Sequence, residues 1–145
     1  MADTPNHEDV LHLIGRVCGR NFHRMTENLN ALGLYHRQPS VLNVLWEQEG
    51  MTHSELARKL HRSPSTITKT VQRMERAGFV ERRDDPTDER ISRVYLTDAG
   101  RDVRSAVEEI WHTYAAQAFG NFTEDERAQF HALLQRLYDN IAEEG

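Results

Sequence analysis

Two closely spaced helix starts near the middle of the chain constrain its fold more than any other feature. Thr52 and Glu55 have the spacing of a capping box, in which a hydroxyl and a carboxylate each accept a hydrogen bond from an otherwise unpaired backbone N–H. Ser63 followed by Pro64 marks a second start, because proline lacks an N–H that the first helical position does not use. Two capped helices separated by so few residues predict a helix-turn-helix.

Two short strands are predicted after the second helix, which has a typical end at Gly78. Residues 79–83 (FVERR) and 91–96 (ISRVYL) contain the β-branched and aromatic residues that strands favour. The loop between them, 84–90, contains Pro86 and three aspartates, which predict a turn. This order of elements is that of a winged helix-turn-helix with a two-stranded β-wing. Nucleic-acid binding is therefore the leading functional hypothesis.

Apolar residues at helical spacing predict which face of the second helix points outward. If Ile67, Val71 and Met74 face the core, short hydroxyl groups lie near the start of the exposed face and long cations lie further along it. That mixture suits contacts to phosphates and base edges, although a merely solvated face is the alternative. The predicted DNA-contacting residues are Ser54, Ser63, Ser65, Thr66, Thr68, Lys69, Gln72, Arg73 and Arg76, together with Asp88 and Arg90 in the loop.

Charge is distributed unevenly along the chain, which has a net charge of −5. Between residues 51 and 83, eight lysines and arginines oppose three glutamates, which leaves +5 in this stretch and −10 in the rest. Such asymmetry concentrates the attraction for phosphate on one module. A basic face of this kind also suits an acidic protein. A winged-helix protein-interaction module without sequence-specific DNA binding is therefore the alternative function.

The loop between the two strands has an arginine, Arg90, near its far end. An arginine on such a loop is suited to a narrow minor groove, where the potential is most negative. Asp88, two residues earlier, is placed to hold the guanidinium through a charge-assisted hydrogen bond. The alternative is an ordinary surface hairpin with an exposed ion pair, which contributes little to stability.

The segment 54–100, from SELARKL to LTDAG, resembles the winged-helix core of MarR-family bacterial transcription regulators. Its most specific part is DERISRVYLTDAG, which is similar to the family's wing pattern of Asp, one residue, Arg, and a strand ending in Leu-Thr. The resemblance implies that 63–77 is the recognition helix and that Arg90 is the wing-tip residue supported by Asp88. It also implies a homodimer that binds a pseudo-palindromic site in double-stranded DNA, acts as a repressor and is released by an effector.

Long amphipathic helices are predicted on both sides of this core, and they make the fold mainly α (α+β). Apolar residues at three- and four-residue steps predict one helix from about Glu8 to Leu32, and a second follows Pro39. One long helix is predicted after Thr97, and a last one begins at a capping box formed by Thr123 and Glu126. The prediction is six helices and a two-stranded wing.

The length of 145 residues predicts one domain. We expect a winged-helix DNA-binding core over 35–97 and helical dimerisation regions over 8–34 and 98–143. A DNA-binding module does not need long terminal helices, so their apolar stripes are expected to be buried against a second copy.

Several other classes of protein lack support in the sequence. No P-loop, GxGxxG, GxSxG, HExxH or CxxC motif occurs, so an enzyme is not expected. The chain has no apolar span of ~18 residues and no signal segment, which predicts a cytoplasmic protein without a membrane partner. A single cysteine excludes an internal disulfide framework.

Redox and metal sensing are two hypotheses for the signal that the regulator detects. Some MarR-family proteins respond to peroxides through a cysteine in the first helix, but Cys18 lies about two turns from the equivalent position near Leu11, and a lone cysteine is usually a packed residue. The histidines that are able to converge with Cys18 are His12, His23, His36 and His112. They lack the short paired spacing of zinc ligands, so no metal or other cofactor is expected.

A small aromatic or phenolic effector is the third hypothesis, and the family resemblance suggests it. Such a ligand would occupy a crevice between the dimerisation helices and the DNA-binding core. The candidate residues are Tyr35, His36, Arg37, Trp46, Trp111 and His112. Each is equally compatible with core packing or helix capping, because aromatic residues on amphipathic helices usually belong to the core.

Overall fold

The computed structural model describes residues 3–35 and 37–142. Its elements are α1 (His7–Ala31), α2 (Gln38–Glu47), β1 (Met51–Thr52), α3 (His53–Lys59), α4 (Pro64–Ala77), β2 (Val80–Asp84), β3 (Ser92–Leu96), α5 (Asp98–Asp102), α6 (Arg104–Ala118) and α7 (Glu124–Ala142). They form two compact units, Met1–Ile110 and Trp111–Gly145. The single-domain organisation and its subdivision stay predictions.

The predicted helix-turn-helix is confirmed together with its capping groups. The Thr52 hydroxyl accepts the Glu55 N–H at 3.1 Å, and the Glu55 carboxylate accepts the Thr52 N–H at 3.0 Å. Helix α4 follows Ser63, whose hydroxyl accepts the Thr66 N–H at 3.2 Å. Gly78 ends α4 with φ of 87°, a left-handed conformation that favours glycine.

The predicted two-stranded wing is confirmed as β2 and β3, and a third antiparallel strand completes the sheet in the order β1-β3-β2. The register pairs Val80 with Leu96 in the wing and Met51 with Val94 at the other edge of β3. A two-residue strand is too short to show the alternation of apolar and polar residues that marks a strand in sequence. The third strand was therefore missed.

The prediction of a single helix after Thr97 is wrong, because α5 and α6 are separate helices that meet at Val103. The indole N–H of Trp46 donates to the Gly100 carbonyl at 2.8 Å. That carbonyl would accept the N–H of Arg104 in a continuous α-helix, so the indole gives it a partner outside the helix. Residues 3–35 and 37–142 consequently contain seven helices rather than six.

The core of the first unit lies between α2, α3, α4 and the sheet. Ile67, Val71 and Met74 are buried, which confirms the predicted inward stripe of α4. Helix α5 packs closely against the segment between α4 and β2, since a Cβ on Gly100 would lie 2.1 Å from the Phe79 carbonyl oxygen. Only glycine allows this approach, which fixes where the chain leaves the sheet.

Helices α1 and α7 leave most of their apolar side chains exposed. In α1, Met25 and Leu29 are buried. The exposed large apolar residues of α1 are Val10, Leu11, Leu13, Val17 and Phe22, and those of α7 are Phe130, Leu133, Leu134, Tyr138 and Ile141. Within the part of the chain that the structure describes, no helix is both long and apolar enough to cross a membrane.

Candidate nucleic-acid interface

Helix α4 presents a polar face with the composition predicted from the sequence. Ser63, Ser65, Lys69, Arg73 and Arg76 are exposed. Thr66, Thr68 and Gln72 are half-buried at the edge of this face, and Ser54 is exposed on α3. The arrangement places hydroxyls at the start of the helix and cations along it, while contact of these residues with DNA stays a prediction.

The start of α4 carries a small cluster of hydroxyl groups. The Ser63 oxygen lies 2.8 Å from the Thr66 hydroxyl and 3.2 Å from the Ser65 hydroxyl. The first N–H groups of a helix and its dipole attract anions, and hydroxyls add further donors. This end of α4 is thus chemically suited to a phosphate.

Thr68 is held by a histidine that the sequence reasoning missed. The His53 Nδ1 lies 3.2 Å from the Thr68 hydroxyl, and its Nε2 is buried without a partner among residues 3–35 and 37–142. Burial, and then the charge of Arg82, lower the pKa of His53. The ring therefore connects α3 to α4 at Thr68. No spacing pattern links two residues that meet only through the packing of α3 on α4.

Two of the cations counted as attracting DNA are compensated by carboxylates. Arg82 donates from Nη2 to Glu75 at 2.9 Å and from its backbone N–H at 3.2 Å. This bonding lowers the pKa of Glu75. Arg83 pairs with Glu81 and stacks on the Tyr95 ring, 4.3 Å from its centroid.

Six other cations between residues 51 and 83 keep their charge uncompensated. None of them forms an ion pair with any residue that the structure describes. They are Arg58, Lys59, Arg62, Lys69, Arg73 and Arg76. The positive potential of the module therefore comes from α3, the turn and α4 rather than from β2.

The tip of the wing contains the ion pair that the sequence predicts. Arg90 donates from Nε and Nη2 to the two carboxylate oxygens of Asp88, both at 3.0 Å. The Arg90 backbone N–H donates to the same carboxylate at 3.1 Å, and these bonds lower the pKa of Asp88. The Arg90 side chain is 89% exposed. Asp88 thus holds the Nε and Nη2 atoms of Arg90, and the remainder of the guanidinium is open to a ligand.

The base of the wing contains a second pair, Asp85 and Arg93, which the sequence reasoning also missed. The Arg93 Nε donates to Asp85 at 2.6 Å, and the Asp85 side chain is 9% exposed. Thr87 and Arg93 hold the pKa of this carboxyl far below its ordinary value by hydrogen bonding. Pairing of β2 with β3 brings the two residues together across the loop.

Three of the predicted effector residues, Tyr35, Arg37 and Trp46, lie in the described part of the first unit. Trp46 lines a cleft of about 340 Å³, whose other lining residues are Leu45, Glu47, Glu49, Leu96, Arg101 and Arg104. Tyr35 and Arg37 are exposed at the start of α2 and are not part of this lining, and His36 lies outside the described residues.

Three other candidate sensor residues are solvent-exposed. Trp111 and His112 lie in the second unit, and Cys18 lies on α1. Over residues 3–35 and 37–142, no three metal-ligating side chains are grouped.

Residues 34–92 match the sequence profile of the MarR family. The chain is 35% identical over 109 residues to the HTH-type transcriptional regulator TtmR of Methylorubrum extorquens, a match that covers 75% of this chain and 51% of TtmR. This chain therefore spans about half the length of that relative. The uncharacterized HTH-type transcriptional regulator YsmB of Bacillus subtilis is 33% identical over 111 residues, with 77% of this chain and 76% of YsmB covered.

The fold is similar to solved winged-helix structures. A MarR-family transcriptional regulator from Rhodococcus sp. RHA1 has a TM-score of 0.78 and 26% identity, and the match covers 93% of this chain and 96% of that one. The predicted fold class is therefore confirmed. The names of the relatives are those of transcriptional regulators, which agrees with the expectation of a non-enzyme.

Proposed function

The chain belongs to the MarR family of HTH-type transcriptional regulators, and from this premise we propose that it is a homodimeric repressor of a pseudo-palindromic operator. The observation that carries the proposal is that uncompensated cations and an exposed arginine occur on one module. Lys69, Arg73 and Arg76 lie on the recognition helix, and Arg90 lies at the wing tip. A helix suits the major groove and an arginine on a loop suits the adjacent minor groove.

The proposed dimer is supported by the apolar faces of α1 and α7. Large side chains such as Phe22 and Val17 in α1, and Leu133 and Ile141 in α7, are more than half exposed. Soluble monomers rarely expose many large apolar side chains along one helix, so burial of each helix against a second copy is the simplest explanation. Two recognition helices related by a twofold axis would then read half-sites about one duplex turn apart.

We infer repression, and its release by an effector, by analogy with the family. A dimer lying across a promoter excludes polymerase without a further activating surface. We propose a small aromatic or phenolic effector, and the Trp46 cleft, which Arg101 and Arg104 also line, is one place in the first unit where a ring and cations lie together. Its occupation would act on the junction of α5 and α6, where Trp46 holds the Gly100 carbonyl.

The proposal is tested by selecting duplexes from a random library with the purified protein and footprinting the enriched sequence. We expect protection of a pseudo-palindromic site, lost on Arg90→Ala or on Lys69→Ala combined with Arg73→Ala. Arg127→Ala is the matched control, since it removes an exposed cation of α7, outside the winged-helix core. Equal affinity for all duplexes would refute a specific regulator, and absence of any duplex affinity would favour the protein-interaction module.

The dimer is tested separately by sedimentation equilibrium. Leu133→Asp combined with Ile141→Asp should give a monomer, because each change would bury an unpaired carboxylate in the interface. Gln135→Asp is the matched control, because it introduces a carboxylate at an exposed polar position of the same helix. A wild-type chain that sediments as a monomer at micromolar concentration would exclude the proposed dimer.

A further inference from the structure

The guanidinium of Arg93 connects three segments of the DNA-binding module. Its Nε donates to Asp85 at the base of the wing at 2.6 Å, and its Nη1 donates to the Gly50 carbonyl before β1 at 2.8 Å. The same Nη1 lies 3.9 Å from the Glu55 carboxylate, which caps α3 by accepting the Thr52 N–H. One side chain therefore joins the wing to the first helix of the helix-turn-helix.

The chain of hydrogen bonds continues from Asp85 to the wing tip. Asp85 accepts from the Thr87 N–H at 2.8 Å, from the Thr87 hydroxyl at 2.7 Å and from the Asp88 N–H at 3.1 Å. Asp88 in turn accepts the three bonds from Arg90 described above. The position of Arg90 is thus set by Asp88, whose backbone is set by Asp85, whose carboxylate is held by Arg93.

Arg93 and Arg90 have opposite accessibility. The Arg93 side chain is 31% exposed and donates from Nε and Nη1 to acceptors in two different segments, whereas the Arg90 side chain is 89% exposed and donates to Asp88 nearby in the loop. A long side chain that is ordered before binding loses less conformational entropy when it binds. A guanidinium that donates to several acceptors is suited to holding neighbouring segments together, as Arg93 does. An exposed guanidinium such as that of Arg90 is suited to binding a ligand.

We propose that Arg93 is a positioning residue, which with Asp85 holds the wing so that Arg90 and the recognition helix meet the duplex as one preformed surface. Arg93 itself does not touch DNA. The inference rests on the proposed function and assigns to it a pair of residues that do not belong to the contacting face.

The Asp85→Asn variant distinguishes a positioning role of the Asp85–Arg93 pair from an effect of net charge alone. The change makes the module more positive by one charge, so electrostatic attraction alone predicts tighter binding of the operator. Positioning predicts the opposite, a loss of roughly tenfold, because one charge-assisted hydrogen bond to Arg93 is weakened. Asp102→Asn is the matched control: it makes the same change in charge at an exposed residue of α5 that has no ion pair with any described residue. Tighter binding by Asp85→Asn would overturn the proposal.

A double-mutant cycle tests the coupling between base and tip. Arg90→Ala should weaken operator binding strongly in the wild-type background and much less in the Arg93→Gln background, because the wing is then no longer held in place. Arg73→Ala should have the same effect in both backgrounds. Equal effects of Arg90→Ala in the two backgrounds would overturn the proposal and leave Arg93 a structural residue only. Thermal melting shows whether each variant is folded.

Hydrogen exchange of the DNA-free protein gives a readout that does not depend on an operator. Arg93→Gln should accelerate exchange at the Asp88 and Arg90 amides, which Arg93 does not contact, and leave Val71 in the recognition helix unchanged. If the wild-type protein protects no duplex, the proposed function fails, while this measurement still decides the role of Arg93. Unchanged exchange at Asp88 and Arg90 would overturn it.

Discussion

Glu75 on α4 accepts hydrogen bonds from both the side chain and the backbone of Arg82 on β2. The distances are 2.9 Å from Nη2 and 3.2 Å from the backbone N–H. The Glu75 carboxylate therefore connects the end of α4 to the start of the wing. Without Arg82, the negative charge of this carboxylate would repel DNA. The same contact neutralises a cation, so sequence charge overstates the positive potential of β2.

Glu75→Gln should lower the free energy of unfolding by about 0.5–1 kcal/mol at pH 7, a small value because both side chains are more than a third exposed. The pKa of Glu75 is lowered in the folded protein. The stabilisation is therefore present above the ordinary glutamate pKa and is lost as the pH falls below it. Urea unfolding of both proteins at a fixed concentration measures the difference. Equal free energies at pH 7 would show that the contact does not contribute.

Gly100→Ala should destabilise the protein by about 2–3 kcal/mol, because the new Cβ would lie 2.1 Å from the Phe79 carbonyl oxygen. That oxygen is not free to move, since it accepts the Thr97 N–H at 3.1 Å. Ala99→Ser, which adds one atom at the exposed neighbouring position, is the matched control. Thermal denaturation distinguishes the two variants, and similar midpoints would contradict the close packing.

Asp85 makes a pH-dependent contribution to stability with a defined sign. Its pKa lies far below the ordinary value of 3.8, so the folded protein resists a proton that the unfolded chain accepts. The stabilisation is complete above that ordinary value and is lost progressively as the pH falls below it. Unfolding free energies of the wild type and Asp85→Asn should therefore differ most near neutral pH and converge in strong acid. A difference that grows on acidification would reverse the assigned sign.

His53 should make the recognition helix sensitive to mild acid. Its pKa is lowered from 6.5 by burial and by Arg82, so protonation is easier in the unfolded chain and stability falls as the pH drops through this value. His53→Gln keeps a polar partner for the Thr68 hydroxyl and cannot be protonated. The loss of stability between pH 7 and pH 5 should be smaller in this variant than in wild type. An identical loss would assign the effect to another group.

Local signals in the sequence were sufficient for the elements that depend on neighbouring residues. The capping groups of α3 and α4, the inward stripe of α4 and the Asp88–Arg90 pair all lie within a few residues of one another, and each has the predicted geometry. These features arise from backbone hydrogen bonding and side-chain spacing, which the sequence specifies directly.

The features that were missed depend on distant parts of the chain. Trp46 reaches Gly100 and separates α5 from α6, and Arg93 reaches both Asp85 and Gly50. Neither contact follows from periodicity, because strand register and helix packing must be known first. The set of predicted effector residues stays a prediction, since aromatic character does not specify which cleft a ring lines.

Lys69 and Arg73 should each account for a measurable part of the salt dependence of operator binding. Neither pairs with a carboxylate among the described residues, whereas Arg82 is held by Glu75. A phosphate contact contributes about 0.9 to the slope of log affinity against log salt, because a condensed counterion is released. Lys69→Ala and Arg73→Ala should each reduce the slope by up to that amount, and Arg82→Ala should reduce it less. Titrations at several salt concentrations give the slopes, and an equal reduction for Arg82→Ala would mean that Glu75 releases this arginine when DNA binds.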